Sequence, residues 1–177
     1  MPYGTRLKLD EIHNFYLFTK KAIESIEFDL ISKETIYAGW TKSDLKMSKI
    51  QFVIELEYNC SLNILASIEA DFRDDYRIRA NSKKLNNQLS IELNKIYKDR
   101  EEKASLEECI LNTWKEFYKN DKDKKDLLSD LKGAFKFRHW LAHGRYWDFC
   151  NKNRYDYLTV YSLARRLSML GLKHQKY

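Results

Sequence analysis

Phe135-Lys136-Phe137-Arg138-His139-Trp140-Leu141-Ala142-His143-Gly144-Arg145-Tyr146-Trp147 closes a helical run and stops at a glycine. Upstream, Leu127, Leu128, Leu131 and Phe135 recur at helical spacing and Trp140 extends the row, so the spacing predicts a helix from about Asp126. Gly144 is placed to end it. The stretch holds two of the four histidines and two of the four tryptophans, interleaved with Lys136, Arg138 and Arg145. Imidazole, guanidinium and large aromatic rings are the groups that move protons, hold phosphate and stack on bases. The plain alternative is a core helix with polar residues at its end.

Working outward, the rest of the chain reads the same way. Pro2 is the one proline, and most of the five glycines fall between apolar periodic runs, which points to an all-α fold. A first helix fits Lys8 to Ile31 through Ile12, Phe15, Phe18, Ala22, Ile23 and Ile26. A long second helix fits Asp44 to Tyr76, with Ser43 as its N-cap and a stripe through Tyr58, Leu62, Leu65, Ile68, Phe72 and Tyr76. Asn81 or Ser82 would cap a third over Lys83 to Asp99, with Leu85, Leu89, Leu93 and Ile96. Ser105-Leu106-Glu107-Glu108 matches a capping box and opens a fourth helix through Trp114 to Tyr118. The charged run Asn120 to Lys125 reads as a solvated connector. A last helix fits Asp156 to Leu170, with Gly171 as the stop. The expectation is a single domain over residues 1–177, an antiparallel bundle of five or six helices.

Composition narrows the function. One third of the residues are charged and 44% are apolar, an ordinary globular balance. The N-terminus lacks the apolar run of a signal peptide and no stretch has membrane-spanning length, so a cytoplasmic protein with no membrane partner is expected. Cys60, Cys109 and Cys150 are odd in number and widely spaced, as reduced thiols are. The net charge of +6 is uneven: residues 131–177 hold 10 Lys or Arg against 2 Asp or Glu. That asymmetry favours an anionic partner, nucleic acid first and an acidic protein second. A solvated basic face is the other reading.

Within the opening stretch, His139 and His143 share a helix face and could bind a metal, although the surroundings are cationic and Asp148 is the nearest carboxylate. Arg138 and His143 are five residues apart, which turns them roughly 140° from each other on a straight helix. An ending at His143 would relax that. At a helix C-terminus, where the dipole favours positive charge, His143 would suit general acid–base work, and Arg138 would meet charge on a phosphoryl group. These are parts for metal-independent RNA cleavage, needing neither metal nor cofactor. Lys132, Lys136, Arg145, Lys152 and Arg154 could follow phosphates, and Tyr146, Trp147 and Phe149 could stack on bases. Each also has a plain use as solvated charge or packing. Glu69 falls beside the stripe of the second helix, either facing the core with a cationic partner or pairing with Arg73 at the surface.

Arg138-His139-Trp140-Leu141-Ala142-His143-Gly144, late in a helical bundle, resembles the R-x4-6-H motif of the HEPN superfamily. The polar residue after the arginine and the Leu-Ala-His-Gly ending agree with that motif, and Ile68-Glu69-Ala70-Asp71-Phe72-Arg73 resembles a segment of the second long helix in some HEPN groups. The resemblance implies a small α-helical endoribonuclease that cleaves single-stranded RNA by 2′-hydroxyl attack. It also implies a homodimer with two motifs meeting across a cleft, and a role as a prokaryotic toxin or phage-defence effector with an antitoxin or other defence partner. Carried over, Arg138 would stabilise the phosphate, His143 would be the acid–base group and His139 would orient or assist. One group, paired with a nucleotidyltransferase antitoxin, has tyrosine two residues after the histidine; here Arg145 stands there and Tyr146 comes next. The alternative within the resemblance is a non-catalytic HEPN module that binds RNA, nucleotide or a partner protein.

Overall fold

The computed structural model of the chain describes residues 8–82, 87–149 and 155–173. Leu85, Cys150, Lys152 and Arg154, all named from the sequence, lie outside them. Among the described residues there are helices and no strands, as the single proline and the helical spacing require. The elements are α1 (Leu9–Ser25), α2 (Phe28–Ile31), α3 (Lys42–Ala80), α4 (Gln88–Arg100), α5 (Asn112–Phe117), α6 (Lys122–Ala142) and α7 (Tyr157–Leu167). None of the described helices is long and apolar enough to cross a membrane.

The 39-residue α3 is the spine of the bundle. Four residues of its expected stripe, Leu65, Ile68, Phe72 and Tyr76, are buried in one continuous core with Leu128, Leu131 and Phe137 of α6, Trp114 of α5 and Val160 of α7, while Tyr58 packs partly buried against it and Leu62 is half-buried outside it. Phe72 meets Trp114 edge-on at 5.9 Å, a geometry that adds about 0.5–1.5 kcal/mol to the burial itself. Near the chain's start, α1 lies antiparallel to α3, with the Tyr16 hydroxyl donating to Glu57 Oε1 at 3.0 Å and Lys49 Nζ to the Glu24 carbonyl at 2.8 Å. That lysine takes a free carbonyl at the end of α1. The Ser25 hydroxyl donates to the Ala22 carbonyl at 2.9 Å, and Ile26 turns to extended backbone. The expected helix through Ile31 is therefore two, α1 and the short α2.

Caps move other boundaries. Thr41, not Ser43, opens α3, through a reciprocal box with Asp44. Asn87, not Asn81 or Ser82, caps α4, its side chain accepting from the Ser90 N–H at 2.9 Å; Asn81 instead caps the far end of α3. Asp121 caps α6, so residues 122–125 of the expected connector form that helix's first turn. Ser105 does cap the segment it begins, accepting from the Glu108 N–H at 3.2 Å. Leu106–Leu111 then form a wide π-helical turn, because the Ser105 carbonyl accepts from both Cys109 and Ile110 at 3.1 Å.

One glycine is demanded by packing. A Cβ at Gly133 on α6 would overlap the hydroxyl of Tyr155, whose ring lies against Phe137 at 5.9 Å.

Candidate functional site

The end of α6 carries the candidate residues Arg138, His139 and His143. Gly144 adopts a left-handed backbone, its N–H reaching the Leu141 carbonyl and the Arg145 N–H reaching the Trp140 carbonyl at 3.2 Å. This is a Schellman closure with glycine where the sequence placed it. His143 is the C-cap residue and is solvent-exposed. Its ring meets that of His139, one turn back, with centroids 4.1 Å apart.

Arg138 pairs across the bundle with α3. Its Nη1 donates to Glu69 Oε2 at 3.0 Å, while Glu69 Oε1 accepts from Arg73 Nε at 2.9 Å. Both readings of Glu69 are thus realised at once: it pairs with Arg73 along its own helix and with a second cation across the bundle. Arg138 Nε is buried and has no hydrogen-bond partner among the described residues. Beside this pair opens a cleft of about 650 Å³, whose lining includes Glu69, Glu107, Lys136, Arg138, His139 and Trp147. The π-helical turn supplies the Glu107 wall; His143 does not line the cleft, but its ring touches that of His139, which does.

The flanking candidates divide. Lys136 is exposed at the cleft, and Tyr146 is 81% exposed. Trp147 is half-buried, 5.9 Å from the His139 ring, and its carbonyl accepts from Trp140 Nε1 at 2.7 Å. Phe149 packs on Phe137 and Trp140, both at 5.8 Å, so it is occupied with packing. Lys132 Nζ donates to Asn112 Oδ1 at 3.0 Å. Arg145 has a positive φ of 58°, rare for a residue with a Cβ, and is held there by Glu55 at 2.6 Å and by the Tyr58 ring at 5.3 Å. Its guanidinium is engaged by α3. The hydrogen bond to Glu55 raises its pKa further above the ordinary value.

The sequence did not single out Glu55, read Tyr58 only as part of the long helix's apolar stripe and Glu107 only as part of a cap; Glu55 and Tyr58 fix the turn after α6. The signal for Arg73 was present as the four-residue spacing from Glu69; no spacing announces Glu55. Among the described residues, no three His, Cys, Asp or Glu side chains are grouped to hold a metal ion. A larger groove of about 930 Å³ opens between α4 and α5, floored by Leu89, Ile96 and Phe117, and no residue of the histidine motif lines it.

Comparison of the chain with protein-family models, curated proteins and solved structures returned no match.

Proposed function

We propose that this helical bundle is a metal-independent endoribonuclease of HEPN type acting on single-stranded RNA. The observation that carries the reading is the grouping at one helix end of a cleft-lining guanidinium, Arg138, a cleft-lining imidazole, His139, and a second imidazole in contact with it, His143. In the reaction, a ribose 2′-oxygen bonds to the adjacent phosphorus and the bond to the 5′-oxygen breaks. The products are a 2′,3′-cyclic phosphate and a 5′-hydroxyl. His143 takes or returns a proton, His139 assists it, and Arg138 meets the charge gathering on the phosphoryl oxygens. Lys136, Tyr146 and Trp147 flank the path of the strand.

Arg138 lines the cleft, whereas His143 is not one of its lining residues and adjoins it through the His139 ring, so one copy leaves the acid–base group outside the cleft that holds the guanidinium. Pairing of two copies would supply the missing group. Exposed apolar residues Met47, Ile50 and Ile54, spaced along one face of α3 that leads to Tyr58 beneath Arg145, support a second copy as the partner. The toxin or defence setting, with its antitoxin or other partner, rests on the motif resemblance.

A second reading is favoured by the Glu69–Arg138 ion pair, which occupies the guanidinium: a non-catalytic module that binds RNA, nucleotide or a protein. One experiment separates the two. Wild-type, Arg138→Ala and His143→Ala proteins are incubated with mixed single-stranded RNA in excess chelator, and their oligomeric state is measured by sedimentation. Cleavage by wild type alone, leaving cyclic-phosphate or 3′-phosphate ends, is expected. Equal cleavage by the variants refutes the assignment, and a wild type that binds RNA without cutting supports the module.

A further inference from the structure

Glu69 is placed to control how Arg138 is presented. The contact joins two helices: Glu69 stands on α3 and Arg138 on α6, 3.0 Å apart, with Glu69 itself anchored by Arg73 at 2.9 Å. Arg73 in turn reaches back toward the Ala104 carbonyl at 3.5 Å, just ahead of the π-helical wall of the cleft. The Glu69 side chain is 19% exposed and that of Arg138 35%, so the pair sits at the rim and is shielded on its inner side.

The guanidinium has a reason to leave. Its Nε is buried without an acceptor among the described residues, and a buried donor without a partner favours any rotation that wets it. The bond from Nη1 to Glu69 opposes that rotation. The same carboxylate also repels an incoming phosphate, which weakens ground-state binding. Interactions that orient a group for the transition state accelerate a reaction, whereas equal binding of ground and transition states does not.

We propose that Glu69, backed by Arg73, is a positioning residue: it holds the Arg138 guanidinium at the cleft rim in the orientation that meets a scissile phosphate, while lowering affinity for the uncleaved strand. The proposal rests on the ribonuclease reading. Its signature is a split that loss of packing would not produce, with turnover and affinity moving in opposite senses.

The test compares wild type with Glu69→Ala, Glu69→Gln and Glu69→Asp. Steady-state cleavage of single-stranded RNA in chelator gives kcat and KM. Binding of a 2′-deoxy oligonucleotide, which lacks the attacking hydroxyl, gives affinity. Nitrogen-15 NMR follows solvent exchange of the Arg138 Nε proton, assigned by its loss in Arg138→Lys. In Glu69→Ala and Glu69→Gln, kcat should fall by about tenfold to a hundredfold, the range expected for a misplaced group. The deoxy strand should bind several-fold more tightly and Nε exchange should quicken. Glu69→Asp should recover part of kcat, and should serve alone if the other two do not fold. A wild type that cleaves, with Glu69 variants of equal kcat or unchanged Nε exchange, overturns the proposal and leaves the ribonuclease reading standing. Variants that lose kcat and affinity together also overturn it. A wild type that cleaves nothing overturns both.

Discussion

Replacing Asp75 by alanine should be among the most damaging single changes to this fold. Asp75 is fully buried at the end of α3. Its two oxygens accept from Arg79 Nε at 2.8 and 2.9 Å, and one also takes the Lys173 N–H at 2.7 Å. Arg79 is 5% exposed, donates from Nη2 to the Gly171 carbonyl at 3.1 Å and lies over the Trp114 ring at 5.1 Å. The pair therefore ties α3 to the chain beyond α7. Alanine would leave a buried guanidinium without its counter-charge, a loss of about 3–5 kcal/mol. In a chain of this size each kcal/mol lowers Tm by about 2–4 °C, so the drop should be roughly 6–20 °C. Asp75→Asn keeps the volume and one acceptor and should cost less. Replacing both partners, Asp75→Leu with Arg79→Met, should cost less than the two single changes summed, by at least about 1 kcal/mol. Urea unfolding followed by circular dichroism reads all of these proteins. Burial holds the Asp75 carboxyl above the ordinary carboxylate range, against the pull of the Lys173 amide and Arg79. The folded chain then binds that proton more tightly than the unfolded one. This group makes stability fall as pH rises from the ordinary carboxylate value through the raised one, and Asp75→Asn should remove that slope. A loss below about 1 kcal/mol in Asp75→Ala, or strict additivity in the double variant, would refute the reasoning.

Two more outcomes come from packing. Gly133→Ala should cost about 1–3 kcal/mol by overlap with the Tyr155 hydroxyl, and adding Tyr155→Phe should restore part of it in thermal melts; an additive double variant would contradict the steric cause. Cys60 is fully buried and its thiol is pushed up to about 11 by that burial, so iodoacetamide at pH 8 should label the half-buried Cys109 before Cys60, which should react only on unfolding. Peptide mass spectrometry reads the order, and early Cys60 labelling would count against the packing of α3.

The apolar spacing of the long helix, the stop at Gly144 and the cap at Ser105 were legible in the chain because each depends on residues within a turn or two of one another. Helix starts were less legible: Thr41, Asn87 and Asp121 competed with nearby polar residues of similar capping power, and the packed arrangement chose among them. At the division of the first helix before Ile26, the local Ser25 hydroxyl bond is joined by a lysine from α3 on the Glu24 carbonyl, a contact no local pattern shows.

For the candidate site, the sequence alone placed Arg138, His139 and His143 at the end of one helix, because a 3.6-residue repeat and a terminal glycine suffice for that. The contact of the two imidazoles follows from their four-residue spacing. Only the tertiary structure decided where Arg138 points, because its partner Glu69 lies 69 residues earlier on another helix. The same holds for Arg145, whose left-handed backbone and ion pair depend on Glu55 and Tyr58 of α3. Helical periodicity assigns each side chain a face of its own helix; which helix covers that face, and which charge it meets there, is set by packing between segments distant in the chain.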